Sequence, residues 1–89
     1  MVIDREYPFV SLKVLSYTEL EGYSRKELRA MINEIYAAHG FIFRNEEVMK
    51  KYQRFPWYAP RYANVDTYIS DVEMLNIKKL AEVELRATH

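Results

Sequence analysis

Cysteine is absent from the 89 residues of this sequence. Its absence excludes disulfide frameworks, thiolate metal sites and thiol catalysis together, and it leaves the redox compartment open. An excess of one charge is also missing, because 13 Lys and Arg residues balance 13 Asp and Glu residues. Nucleic-acid binders usually carry a basic excess that faces the phosphates. The sequence therefore predicts no nucleic-acid partner.

Glycine and proline are scarce, with 2 and 3 residues respectively. This scarcity excludes collagen-like and low-complexity classes and leaves long uninterrupted windows for helices. Hydrophobic residues make up 49% of the chain and aromatic residues 15%, which is more than a disordered segment would carry. At this length the chain has room for one hydrophobic core. We therefore expect a single folded domain.

A long uncharged run is also missing, so the sequence predicts no membrane-spanning segment. Its start, Met1 to Glu6, shows neither the basic nor the apolar region of a signal peptide. At the other end, Arg86 to His89 leave an amphipathic pattern without a stop signal. Such an end is typical of a fragment cut from a longer chain.

Helix starts are marked by Ser-x-x-Glu capping boxes, in which each side chain satisfies an orphan backbone N–H of the other residue. The boxes are Ser16 with Glu19, Ser24 with Glu27, and Ser70 with Glu73. The first predicts a single helical turn, because Gly22 interrupts the pattern that follows it. The other two precede apolar stripes at helical spacing and predict helices over residues 25–39 and 71–86. Gly40 stands where a left-handed C-terminal cap is expected.

The middle of the chain predicts shorter elements. Asn45 can cap a helix over residues 46–53, whose first turn carries two acids that suit the helix dipole. Residues 41–43 form an apolar run too short for a helix, which we interpret as extended and buried. Residues 55–62 contain two prolines and four aromatic residues. This composition predicts an ordered loop packed on another part of the domain.

The N-terminal stretch has a different period. Val10, Leu12 and Val14 alternate with polar residues, which is typical of a half-buried strand. A short extended segment is therefore expected within residues 1–14. The predicted fold class is mainly α, a small single domain of three main helices with this extended segment and an ordered aromatic loop. The helical domain is assigned to residues 15–86, and a tail to residues 87–89.

Residues 33–41 read Asn-Glu-Ile-Tyr-Ala-Ala-His-Gly-Phe and resemble the signature of the YARHG family of small bacterial domains, Arg-Asn-Glu-Ile-Tyr-Ala-Arg-His-Gly. The resemblance spans residues 15–84, and its blocks follow the family's order. Further matching residues are Leu28, Phe43, Tyr52, Trp57, Tyr58, Glu73, Asn76 and Ile77. Ile32 and Ala38 depart from the pattern, because the family typically has arginine at both positions.

The resemblance implies an extracytoplasmic domain, located in the periplasm, at the cell surface or outside the cell. It implies a mostly helical fold found in bacterial envelope proteins and lipoproteins, without an established activity. Any anion that the family's two arginines bind in relatives would lose its bidentate donors in this chain. We therefore interpret the signature as architectural here, with structural roles for Asn33, Glu34, Tyr36, His39, Gly40, Glu73 and Asn76.

Three of these residues could instead carry chemistry. His39 has no companion ligands for a metal, and at a helix end it can interact with the last carbonyls. Glu34 and Glu73 could form an acid/base pair, but no nucleophile or anion cradle accompanies them. The alternative places Glu73 in its capping box and Glu34 in solvent or against a loop. We expect no catalytic residue, no metal and no cofactor.

Polar residues at helical positions have simpler expected roles. Asn33 and Tyr36 lie three apart on one helix face and are expected to tie that helix to a neighbouring backbone. Asn76 interrupts an apolar stripe, so we expect it to have a buried hydrogen-bond partner.

The aromatic loop is the candidate ligand-binding surface. Trp57, Tyr58 and Tyr62 could stack on sugar faces while Arg61 donates hydrogen bonds. The alternative is that Phe55 and Trp57 fill the core, with the indole N–H bonded internally. Tyr58 and Tyr62 are open between these two roles.

These patterns favour a non-catalytic binding or accessory domain of a bacterial cell-envelope protein. Its partner would be a cell-wall glycan or peptide, or another envelope protein. The alternatives are a protein-interaction or spacer domain, which would bury the aromatic loop, and an enzyme of unknown type. A pocket enclosing Glu34, His39 and Glu73 together would favour the enzyme.

Overall fold

Helices form the framework of the described chain, which comprises residues 5–88 of a computed structural model. A 3-10 helix, Pro8–Ser11, comes first. It is followed by α1 (Tyr17–Leu20), α2 (Arg25–Ala38), α3 (Glu46–Gln53) and α4 (Asp71–Arg86). No β-strand occurs among residues 5–88, so the predicted mainly helical class is confirmed. None of the helices in this range is long and apolar enough to cross a bilayer.

The predicted capping residues set the start of each α-helix. At α2, the Ser24 hydroxyl accepts from the Glu27 N–H at 3.1 Å, and the Glu27 carboxylate accepts from the Ser24 N–H at 3.0 Å. The boxes of α1 and α4 pair in the same reciprocal way. The Asn45 side chain accepts from two N–H groups in the first turn of α3. α2 ends one residue earlier than predicted, and His39 is its C-cap residue.

The N-terminal segment is not the strand that its alternating pattern predicted. Pro8 lies in the first turn of the 3-10 helix, and only Val10 of the three alternating apolar residues is buried. A strand would pair its backbone N–H and C=O groups with another strand. Here the Asn76 side chain of α4 bonds to backbone groups of the segment instead. Its Nδ2 donates to the carbonyls of Val10 and Lys13, both at 2.8 Å. A side chain on a helix therefore replaces the partner strand.

The main hydrophobic core lies between α2 and α4, which make the most extensive contact among the described elements. The N-terminal segment and α1 close it from the side. Its buried residues are Val10, Leu15, Leu20, Leu28, Met31, Ile32, Ile35 and Leu80. The four residues from α2 have the spacing of one helix face, so this helix buries the stripe that the sequence predicted except for its last member, Tyr36, which is half-buried.

A second cluster, mainly aromatic, joins α3 and the aromatic loop to α2. Tyr52 is buried and stacks on Phe43, with ring centroids 5.4 Å apart. Phe41 forms an isolated parallel bridge with Tyr62, in which the Ile42 N–H donates to the Tyr62 carbonyl at 2.8 Å. The Ile42 side chain is 40% exposed. The predicted burial of residues 41–43 is therefore wrong at Ile42.

Gly40 ends α2 in the left-handed conformation that the sequence predicted, with φ at 85°. Its N–H donates to the Ala37 carbonyl at 3.0 Å, and the Phe41 N–H donates to the Tyr36 carbonyl at 3.1 Å. This pair of bonds is the Schellman motif. A Cβ at Gly40 would lie 2.8 Å from the Ala59 carbonyl oxygen, so the position also lacks room for a side chain.

We predict that Gly40→Ala destabilises the domain by about 1–3 kcal/mol, because positive φ and the approach of Ala59 both disfavour a Cβ. Gly22→Ala is the matched control, since nothing lies within 4 Å of its Cβ position and its φ is not positive. It should change stability by less than about 0.5 kcal/mol. Urea unfolding followed by far-UV circular dichroism measures both. Equal effects would contradict this account of the cap.

Candidate functional site

The inward face of α2 carries a buried carboxylate. Glu34 is 0% exposed, and it lies three positions after the core residue Met31, on the same side of the helix. Its oxygens accept from Arg5 Nε at 3.0 Å and from the Tyr7 N–H at 3.0 Å. Glu34 is therefore bonded to a neighbouring segment, which was one of its two expected non-catalytic roles, and it is not exposed to solvent. It holds the N-terminal segment against α2.

A second buried carboxylate lies in the first turn of α4. Glu73 is 4% exposed, and its Oε1 is 2.7 Å from His39 Nε2. The Ser11 hydroxyl donates to Glu73 Oε2 at 2.6 Å, and Arg5 Nη2 donates to Ser11 Oγ at 3.0 Å. Both carboxylates thus belong to one connected set. We call it the ionic network; its members are Glu34, Arg5, Ser11, Glu73 and His39.

The pKa values of the two carboxyl groups of the ionic network are shifted in opposite directions. Burial raises the pKa of Glu34, because desolvation outweighs the favourable Arg5 cation. Burial also acts to raise the pKa of Glu73, but its hydrogen bonds, that from Ser11 foremost, outweigh desolvation and leave this pKa below the usual value. A general acid or base must reach its substrate. The packing around the network gives neither carboxylate that access.

His39 differs from its predicted role in one respect. Its backbone closes α2 as expected, but its side chain contacts Glu73 rather than the last helix carbonyls. Backbone N–H groups of residues 39–41 bond to the carbonyls of Tyr36 and Ala37 at the end of the helix, so the imidazole is available for Glu73 in the first turn of α4. Within residues 5–88, no group of three or more His, Cys, Asp and Glu residues could hold a metal ion.

Asn76 has the buried partners that the sequence predicted. It is 0% exposed, and besides its two donated bonds its Oδ1 accepts from the Leu15 N–H at 2.9 Å. One side chain therefore satisfies three backbone groups of the segment between Val10 and Leu15. The amide fits because it offers both donors and an acceptor, which no apolar residue of the same size can do.

The aromatic loop is divided between core and surface. Tyr58 is 8% exposed, and its hydroxyl donates to the Phe41 carbonyl. Of the two roles left open for Tyr58, the structure therefore favours packing in the core, because both its ring and its hydroxyl contact other residues of the fold. Trp57 is half-buried and stacks on Phe55, with ring centroids 5.4 Å apart. Its indole N–H has no hydrogen-bond partner among the described residues, so the predicted internal bond is wrong.

Arg61 and Tyr62 are exposed, as a binding role requires. Together with Trp57 they line a pocket of about 230 Å³, which also contacts His39 and Ala38. We call it the Arg61 pocket. The Tyr62 ring lies against Tyr68, with centroids 4.9 Å apart and planes 32° from parallel. The two rings are tilted, so they do not form a flat platform.

A larger depression of about 430 Å³ runs along one side of α2, next to the stripe that packs in the core. We call it the α2 groove. α2 provides Ile32, Asn33 and Tyr36, the segment after Gly40 provides Phe41 and Phe43, and the loop of residues 63–66 provides Asn64 and Asp66. Ile32 is 4% exposed, so its side chain forms an apolar floor. Of the two positions where the family typically has arginine, Ile32 thus lines the α2 groove and Ala38 the Arg61 pocket.

Asn33 and Tyr36 do not tie α2 to a neighbouring backbone, which corrects the sequence-based prediction. Their side chains make no hydrogen bond to another residue in the described range, and neither has a polar atom that is buried without a partner. The amide and the hydroxyl are therefore open to solvent. Since both line the α2 groove, it contains donors and acceptors that are free for a ligand.

Several residues of these sites had no signal in the sequence. Arg5 and Ser11 join the ionic network across 29 and 62 positions of sequence, a separation that local periodicity cannot detect. Asn64 and Asp66 had a weak signal, because Asn-x-Asp favours an Asx turn. That turn is present, with the Asp66 N–H donating to Asn64 Oδ1 at 2.8 Å.

The fold and its internal network define a small helical domain whose signature residues are divided between a buried network and an open groove. The family model of the YARHG domain matches residues 6–85. This match covers nearly the whole chain, so the protein belongs to the YARHG domain family. It also includes the segment of residues 6–14, which the resemblance at 15–84 had left out. No curated protein and no solved structure matches the chain.

We predict that Glu73→Gln destabilises the domain by about 1–3 kcal/mol at neutral pH, because it removes a charged acceptor from three hydrogen bonds. The folded pKa of Glu73 lies below the ordinary value of 4.5. The stabilisation by the ionised carboxylate is therefore complete above that pH and is lost as the pH falls through the folded pKa.

Urea unfolding of wild type and Glu73→Gln across pH measures this effect, and the difference should shrink below about pH 4. The titration of Glu34 is present in both proteins and cancels from the difference. Glu21→Gln, at an exposed position, is the control and should show little difference at any pH. A constant difference between wild type and Glu73→Gln would contradict the pKa shift.

Asn76→Ala should destabilise the domain by about 2–5 kcal/mol, because it leaves three backbone groups of the N-terminal segment without their partner. Lys78→Ala, at an exposed position of the same helix, controls for helix propensity and should be nearly neutral. Hydrogen exchange of the Leu15 amide gives a local reading. An unchanged Leu15 exchange rate in Asn76→Ala would contradict the role of this side chain.

Proposed function

We propose that this domain is a non-catalytic binding module of a bacterial cell-envelope protein, and that it holds a cell-wall glycan in the α2 groove. The extracytoplasmic location rests on the family, whose members are small accessory domains. The proposal rests on one observation: Asn33 and Tyr36, both in the family signature, present unpaired polar groups to an open groove.

The chemistry of the α2 groove suits a sugar. Carbohydrates present hydroxyl groups at their edges and C–H groups on their faces, so they need amide, hydroxyl and carboxylate partners next to aromatic rings. Asn33, Tyr36 and Asp66 offer the polar groups. Phe41 and Phe43 lie edge to face with centroids 5.0 Å apart, which gives the groove an aromatic wall. Its volume is within the range of small-ligand sites, whereas the Arg61 pocket is below it.

A binding role also fits the position of the acids. Glu34 and Glu73 are 0% and 4% exposed and are bonded to other residues of the fold. Acid/base catalysis would need a carboxylate that can exchange a proton with a ligand in a cleft. The α2 groove contains one carboxylate, Asp66, and no second acid or nucleophile.

Protein interaction is the second candidate function, because several large apolar side chains lie on the surface. Leu12, Val14, Leu75 and Leu85 are each more than half exposed. Exposed aliphatic residues of this kind are common in surfaces that contact another protein. In this alternative an envelope protein or peptide would contact the aliphatic side chains, and the α2 groove would have no ligand.

Titration with soluble peptidoglycan fragments, followed by NMR, tests the proposal. The amide and ring signals of Asn33, Tyr36 and Phe41 should shift with a dissociation constant in the millimolar to micromolar range, about 4–8 kcal/mol. The double variant Asn33→Ala/Tyr36→Phe should weaken binding at least about fivefold, because each lost hydrogen bond contributes about 0.5–1.5 kcal/mol. Its thermal midpoint should be close to that of wild type, since both side chains are solvent-accessible.

The matched control is Gln53→Ala/Tyr23→Phe, which removes an amide and a hydroxyl outside the α2 groove. This variant should bind like wild type. Shifts confined to Arg61 and Tyr62 would move the site to the Arg61 pocket. No shift at millimolar fragment would remove the glycan proposal and favour protein interaction.

A further inference from the structure

The α2 groove contains two charged side chains, but only one of them lacks an oppositely charged partner among the described residues. Arg29 lies at its edge and is engaged elsewhere: its Nε and Nη2 donate to the two oxygens of Glu84 at 2.9 and 2.6 Å. This bidentate pairing is the strongest arrangement available to an arginine and a carboxylate. The Arg29 cation is therefore largely neutralised by Glu84.

Asp66 is the other charged residue of the α2 groove. Within the described chain its carboxylate forms no salt bridge and accepts no hydrogen bond. Its position is nevertheless fixed, because its backbone N–H is held by Asn64 and the preceding residue, Val65, is 1% exposed. The Tyr68 N–H closes the turn on the Val65 carbonyl at 2.9 Å. A carboxylate on an anchored turn thus faces solvent at the groove.

The floor of the α2 groove adds no compensating charge. Ile32 belongs to the hydrophobic core, and the wall beside it consists of Tyr36 and Phe41, whose centroids are 5.6 Å apart. Apolar walls lower the local dielectric and lengthen the reach of a nearby charge. The field inside the groove is consequently set by Asp66, and it disfavours an anion.

We infer that the α2 groove selects uncharged saccharides over acidic ones, with Asp66 as the specificity-determining residue. The inference rests on the proposed function. Asp66 accepts hydrogen bonds from the hydroxyl groups of a neutral sugar, which are charge-assisted and stronger than neutral ones. The same carboxylate repels a ligand that brings its own carboxylate into the groove.

The experiment compares two probes of nearly equal shape, N-acetylmuramic acid and its carboxamide, in NMR titrations of the full chain. N-acetylglucosamine serves as a smaller neutral probe. Wild type should bind the carboxamide at least about fivefold more tightly than the acid, because like charges a few ångströms apart repel by about 1 kcal/mol in water. Raising the salt concentration should reduce this preference, since the repulsion is screened.

Two variants at Asp66 test whether this residue carries the preference. Asp66→Asn keeps the size of the side chain, so the affinities for the two probes should become nearly equal. Binding of the carboxamide should weaken about fivefold or more. Asp66→Lys should reverse the preference in favour of the acid. Glu21→Lys makes the same charge change at an exposed position outside the α2 groove, and it should keep the wild-type preference.

The outcomes separate the inference from the proposed function. If wild type binds both probes equally, or if Asp66→Asn retains the preference, the selectivity of Asp66 is refuted while glycan binding stands. If Glu21→Lys changes the preference as much as Asp66→Lys does, the preference depends on the net charge of the domain, and a specific role for Asp66 is also refuted. If neither probe nor N-acetylglucosamine shifts the groove signals at millimolar concentration, both the inference and the proposed function are wrong.

Discussion

Two carboxylates are buried where α2, α4 and the N-terminal segment meet, and the domain can fold only if their desolvation is compensated. Arg5 and the Tyr7 N–H offset part of the desolvation of Glu34, while hydrogen bonds from Ser11 and His39 help to outweigh that of Glu73. Most of these partners come from a segment that contains only one short 3-10 helix. The carboxylates therefore gain these partners only when the N-terminal segment is in place, and the same bonds hold the segment where it closes the core from the side.

Backbone hydrogen bonds at the end of α2 position the groove. Gly40 reverses the chain after α2, and its carbonyl then accepts from the N–H groups of Arg61 and Tyr62 at 2.8 and 3.0 Å. These bonds bring the loop of residues 63–66 beside the side of α2 that lines the α2 groove. One side of the helix thus serves the ionic network through Glu34, and the other provides Asn33 and Tyr36 to solvent. The family signature thus combines buried and solvent-accessible residues in consecutive positions, because adjacent helical positions face different directions.

This division supports the proposed binding role. Glu34, Glu73 and His39 are bonded within the fold, whereas the α2 groove carries an amide, a hydroxyl and a carboxylate that have no side-chain partner among the described residues. Such groups recognise a ligand by hydrogen bonding. The selectivity that we infer rests on the charges around the groove, because Arg29 pairs with Glu84 whereas Asp66 has no charged partner among the described residues. In this chain an apolar residue, Ile32, stands where the family typically has arginine, which removes another cation from the same groove.

The sequence by itself determined the helices and their ends. Capping boxes, Asn45 and Gly40 act within a few residues of each other, so local chemistry placed α3 and α4 correctly and α2 to within one residue. It also indicated the stripe of α2 that packs in the core. Only the tertiary structure decided that the alternating N-terminal segment is a 3-10 helix held by Asn76, that Tyr58 is buried, and that Asn33 and Tyr36 line a groove with Asp66. Each of these depends on contacts between residues far apart in sequence, whose burial and pairing no local pattern encodes.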